Sequence, residues 1–66
     1  MMHNNNFQKN TNISLVAQSI WRSKGISRID IARELHLYRS TVTNIIQTLL
    51  EAGIVYEAES GESAAQ

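Results

Sequence analysis

Apolar and polar residues alternate along this 66-residue chain with helical spacing in three places. Ile13, Val16, Ala17, Ile20 and Trp21 recur at the three-to-four-residue interval that makes one stripe on a helix. Thr11 or Asn12 can cap that helix, which runs to about Lys24 and stops at Gly25. Trp21 shares the stripe and reads as a core or rim anchor. In the next segment Ile31, Ala32 and Leu35 share a face, and Ala32 is small enough for a neighbouring helix to approach closely. Ser27 is placed to cap this second helix, with Asp30 three positions on as the capping-box partner, and the helix ends near Leu35. His36, Leu37 and Tyr38 form a turn that Leu37 plugs. The third helix spans about residues 39–52, until Gly53 stops it.

Two short helices joined by such a turn are the helix-turn-helix signature. Projected at 100° per residue, the third helix gathers Val42, Ile45, Ile46, Leu49 and Leu50 on one side. Ser40, Asn44 and Gln47 lie opposite, flanked by Thr43 and Thr48, with Thr41 near the border. A helix face meant only for water normally carries Glu and Lys, and this face has no acid at all. Its amides and hydroxyls suit base edges, since Asn or Gln can bond adenine bidentately and a Thr methyl can meet the thymine methyl. The bland alternative is a polar solvent face. After Gly53, residues 54–58 read as a strand and Ser60-Gly61 as a turn, with Ile26 available to pair against the hairpin. No convincing return strand follows. The expected fold is therefore mainly α, a small winged helix-turn-helix of three helices plus a short, truncated β-wing, cut near a domain boundary. Residues 1–11, rich in Asn and without periodicity, are expected to form a flexible N-terminal segment, with the domain over residues 12–66.

Size excludes most other classes. A chain this short buries only about 60% of its unfolded surface, so no ordinary catalytic cleft fits inside. No His, Cys or Lys is placed to activate a nucleophile, and an enzyme is not expected. Without cysteine there is no disulfide or thiolate metal site, and His3 and His36 have no ligand-like spacing, so no metal or cofactor is expected. The chain has neither a membrane-length apolar run nor a signal-peptide core, which makes a cytoplasmic location the default.

Net charge is zero, unlike most nucleic-acid binders, yet its distribution is uneven. All six basic residues precede position 40, so residues 1–50 carry an excess of positive charge. Glu51, Glu57, Glu59 and Glu62 make the remainder acidic. A basic contact face followed by an acidic tail fits this asymmetry, and so does a solvated surface. Arg28 and Arg33 are expected to point outward, toward phosphates or water. Lys9 is a candidate arm residue or part of a frayed end. Ser27, Arg28 and Arg39 form the candidate phosphate set, Arg39 at a helix start whose N–H groups already favour an anion. Ser40, Thr41, Thr43, Asn44 and Gln47 form the candidate base-facing set.

One family carries much of this pattern. Gly25, Ile26, Ser27, Arg28, Ile31, Ala32, Leu35, Leu37, Ser40, Thr41, Val42 and the run Leu49-Leu50-Glu51-Ala52-Gly53-Ile54-Val55 with Glu57 resemble the amino-terminal winged helix-turn-helix of ROK-family repressors. The likeness covers about half the chain, and its second half is shared by other winged-helix regulator families. It implies binding to a double-stranded DNA operator; with so few positive charges a single domain is expected to bind weakly, so a homodimer is expected. It also implies repression of sugar genes, modulated by a sugar bound in a separate carboxy-terminal domain missing from these residues, along with that domain's zinc-binding cysteines. Tyr38 departs from the small capping residue usual in that family, so the third helix starts later or relies on Ser40 as its cap. Asn44 stands where Arg is common, which alters the expected operator preference. The alternative function is a winged-helix protein-interaction module that docks the same helix on a partner without DNA. Against that alternative, Ser40, Asn44 and Gln47 offer no apolar anchor.

Overall fold

The computed structural model describes residues 5–59 and 61–66, with side chains from residue 10 onward. Three helices, α1 (Asn5–Ser23), α2 (Arg28–Leu35) and α3 (Arg39–Glu51), precede two strands, β1 (Val55–Glu57) and β2 (Ser63–Ala65). The architecture is a mainly helical small winged helix, as the apolar pattern predicts.

Val16 and Ile20 of α1, Ile31 and Ala32 of α2, Val42, Ile45, Ile46 and Leu49 of α3, and Val55 of β1 form one buried cluster. Ile13, Ala17, Ile26, Leu35, Leu37 and Leu50 pack around it, half-buried. Each helix thus turns its apolar stripe inward, where burial is worth roughly 1.5–3 kcal/mol for each large side chain. Trp21 does not follow its stripe. It is 76% exposed, because Ile20 and not its neighbour occupies the inward position at this end of α1.

The caps behave as their chemistry demands. Ser27 has an extended backbone and its hydroxyl accepts from the Asp30 N–H at 3.1 Å. The reciprocal half of the capping box is not made, since the Asp30 carboxylate accepts from Arg33 instead at 3.4 Å. Ser27→Ala should cost about 1 kcal/mol, read as a fall of roughly 4–8 °C in a thermal melt. His36 closes α2 in the left-handed region at φ 57°, and the Leu37 N–H returns to the Ala32 carbonyl at 3.0 Å. Tyr38 is the N-cap of α3 without a side-chain cap bond, so α3 begins at Arg39 and does not wait for Ser40.

At the other end of α3, the Ile54 N–H donates to the Leu49 carbonyl and the Gly53 N–H to the Leu50 carbonyl, both at 3.0 Å. This paired return is a Schellman motif, and it requires the positive φ of 75° that Gly53 adopts. The motif turns the chain directly from α3 into β1.

Two expectations are corrected. Residues 5–11 form the first turns of α1, so the helix starts at Asn5 and not after Thr11 or Asn12. Asn and Gln are only mildly unfavourable in helices, and nothing in this stretch forbids propagation from the packed turns that follow. The rest of that segment, residues 1–4, lies outside the described residues, as do the Lys9 side chain and Ser60 of the wing turn. At the start of the next loop the turn begins one residue before Gly25, with Lys24 also in the left-handed region at φ 54°.

The second correction concerns the wing, which has a return strand. Val55, Tyr56 and Glu57 pair antiparallel with Ala65, Ala64 and Ser63. Ser63 also makes a bridge to Ile26, through N–H to carbonyl bonds of 3.0 Å in both directions. The order is therefore Ile26, β2, β1, with β2 in the centre. Small side chains suit Ser63-Ala64-Ala65 to this place: β2 packs against α1, and both Ser63 and Ala64 are buried.

Candidate nucleic-acid interface

α3 divides by solvent exposure as its sequence divides by polarity. Val42, Ile45, Ile46 and Leu49 are buried, while Arg39, Ser40, Thr43, Asn44, Gln47 and Thr48 are exposed and Thr41 is half-buried. A 13-residue helix with one face anchored and the other bare is rigid enough to present side chains at fixed spacing. Its dimensions suit the major groove, which is about 12 Å wide.

The members of the base-facing set are not equally available. The side chains of Ser40, Thr43 and Asn44 make no hydrogen bond within the described residues. Gln47 donates from Nε2 to Glu51 Oε2 at 3.2 Å, so its amide is held along the helix. Glu51 therefore borders the polar face, which is not free of acids as its central positions suggest. Thr48 donates its hydroxyl to the Asn44 carbonyl at 3.2 Å, leaving its methyl as the contact group.

The basic residues separate in the same way. Arg22 lies 3.7 Å from Glu34, between α1 and α2, and Arg33 lies 3.4 Å from Asp30. Such exposed pairs are worth little in stability. Arg28 was expected to point outward and does not: its Nη2 lies 2.5 Å from Glu57 Oε2 on β1, and its Nε is buried without a partner. Ser27, beside it, spends its hydroxyl oxygen on the α2 cap. The structure thus gathers Arg39, Ser40, Thr43, Asn44 and Gln47 along one helix face, and draws Ser27 and Arg28 into the framework. Among the described residues Lys24 and Arg39 carry no ion pair.

Tyr38 is a candidate that sequence reasoning passed over. It is 83% exposed at the N-cap of α3, immediately before Arg39 in the chain. Its oddness as a cap is the signal that pointed to it. The wing presents Tyr56, 47% exposed, and three glutamates, Glu57, Glu59 and Glu62. Elsewhere, a shallow groove of about 400 Å³ lies between the end of α1 and the hairpin, lined by Trp21, Lys24, Tyr56 and Gln66 among others. No three His, Cys, Asp or Glu side chains come together as metal ligands among the described residues. No helix of the described residues is long and apolar enough to cross a membrane.

Comparison with known proteins agrees with this geometry. The model of the MarR family matches residues 15–62, which takes in the second half of α1, the helix-turn-helix, β1 and the wing turn, and ends just before β2. A xylose repressor from Staphylococcus xylosus is 36% identical over 59 residues, covering 89% of this chain. The chain spans 15% of that relative's length. No solved structure matches the chain significantly. With its helix-turn-helix, its bare polar α3 face and its two-stranded wing, the chain belongs to the MarR family and folds as a winged-helix DNA-binding domain.

Proposed function

We propose that this chain is the operator-reading module of a sugar-responsive repressor of the ROK kind, with α3 in the major groove and α2 braced across the backbone. The observation that carries the reading is the free polar face of α3, where Ser40, Thr43 and Asn44 are exposed and without internal partners. Thr41 and Gln47 complete the base-facing set at its edges. The ROK-like motif and the xylose repressor relative support a sugar as effector, bound in a carboxy-terminal domain. Operator binding and release are then the whole activity of these residues, with no catalysis or cofactor, and the chain works in the cytoplasm.

Arg39 holds a phosphate in this reading. The α3 N-terminus has no side-chain cap, so its first N–H groups and the helix dipole favour an anion beside the guanidinium. A module with so few free cations binds weakly alone, and useful affinity comes from a homodimer on half-sites roughly 34–36 Å apart, or a multiple of that.

The test is a titration of the isotopically labelled protein with duplex DNA at two salt concentrations, following backbone amide shifts. Shifts should concentrate on Arg39–Thr48 and fade as salt rises. Arg39→Ala should weaken binding to every sequence alike and lower the salt slope by about one. A flat response at low salt would overturn the DNA-reading assignment and point to a protein partner instead.

A further inference from the structure

Arg28 and Glu57 are 29 residues apart in sequence, yet they form the tightest ion pair among the described residues. The pair joins the N-terminus of α2 to the outer strand of the hairpin. Between them runs β2, whose Ser63 bonds Ile26 on one side and pairs with Glu57 on the other. Arg28 thus reaches across the central strand from two residues beyond the Ile26 bridge. Its side chain is 34% exposed, with Nε fully covered, so the guanidinium lies against the hairpin and is not extended into solvent.

We propose that Arg28 and Glu57 act in DNA binding as positioning residues, their ion pair locking the wing to the helix-turn-helix, and that Arg28 is not itself a phosphate contact. This rests on the DNA-reading function proposed above. Three rungs of antiparallel pairing are too few to hold a hairpin by themselves, so its angle to α3 depends on what ties it down. The structure supplies two ties on the same side: the Ile26 bridge through the backbone and the Arg28–Glu57 pair through side chains. Charge favours the same conclusion. A phosphate at Arg28 would meet the Glu57 carboxylate on the same guanidinium, so binding there would require the pair to break first.

Glu57→Gln, Arg28→Glu and the exchanged double variant Arg28→Glu/Glu57→Arg separate the two roles. In the free protein, each single variant should move the amide resonances of Ile26 and Ser63–Ala65, and the exchange should return them toward the wild-type positions. On duplex DNA, each single variant should bind about fivefold more weakly or worse, with the exchanged pair recovering most of the loss. A rise in affinity for Glu57→Gln would overturn the proposal, because it would show that Glu57 withholds Arg28 from a phosphate. So would an exchanged pair that is folded yet binds less well than either single variant. If Arg28→Glu fails to fold, the sign of the Glu57→Gln effect still decides. Failure of the wild-type protein to bind any duplex would sink the DNA reading, whereas unmoved hairpin amides in free Glu57→Gln would sink the tie alone.

Discussion

Ile46→Ala should leave much of the protein unfolded at room temperature. Ile46 is fully buried in α3, in the cluster formed by all three helices and β1. Truncating a buried isoleucine to alanine costs about 2–5 kcal/mol, the transfer term plus the cavity left behind. At roughly 0.05–0.15 kcal/mol per residue, a chain of this length has a total stability of only about 3–10 kcal/mol. The loss is therefore comparable to the whole. The buried hydroxyls of Ser19 and Ser63 and the covered Arg28 Nε, all without partners, push the total toward the lower part of that range. The melting temperature should fall by roughly 4–8 °C for each kcal/mol lost. Ile54→Ala is the matched control, since Ile54 is 51% exposed, and it should move the melt by only a few degrees. Equal effects from the two substitutions would show that the helical cluster is not what holds the fold.

Asn44→Ala should leave the melt nearly unchanged and relax base preference at one position of the operator. The Asn44 amide is exposed near the middle of α3 with no internal hydrogen bond, so its removal opens no cavity and orphans no protein group. A bidentate amide-to-adenine pair is worth about 1–3 kcal/mol of discrimination, or roughly fivefold to more than a hundredfold between the right and wrong base pair. The measurement is competition among duplexes varied one base pair at a time, at one salt concentration. Arg39→Ala run beside it should lower all affinities together. A loss from Asn44→Ala that is equal on every duplex would remove its base-reading role.

How far these features were legible depends on whether local chemistry determined them. The α2–turn–α3 unit was legible, because Ser27, Gly53 and the apolar positions of α3 each act within a few residues of themselves. Of the inward set Val42, Ile45, Ile46, Leu49 and Leu50, the first four are buried and Leu50 is half-buried at the edge of the cluster. The pairing of Ile26 with the hairpin was also anticipated. The return strand was not, since Ser63-Ala64-Ala65 has no strand propensity of its own and is held by Ile26 on one side and α1 beneath. The helical state of residues 5–11 was missed because polar, non-periodic sequence says little about a helix that extends beyond its packed turns. The Trp21 misplacement came from treating a one-residue offset on a stripe as equivalent burial. Arg28 is the most instructive case. Its partner lies 29 residues downstream, and no pattern within a helix could reveal that a candidate phosphate ligand is already engaged.

The two-faced character of α3 also governs how such a regulator can change over evolutionary time. Substitutions at Ser40, Thr43 and Asn44 touch neither the apolar cluster nor any cap, so drift there costs the fold almost nothing. The buried positions on the reverse of the same helix stay fixed by packing. A duplicated copy of this chain can therefore acquire a new target on DNA one side chain at a time while remaining folded at every step.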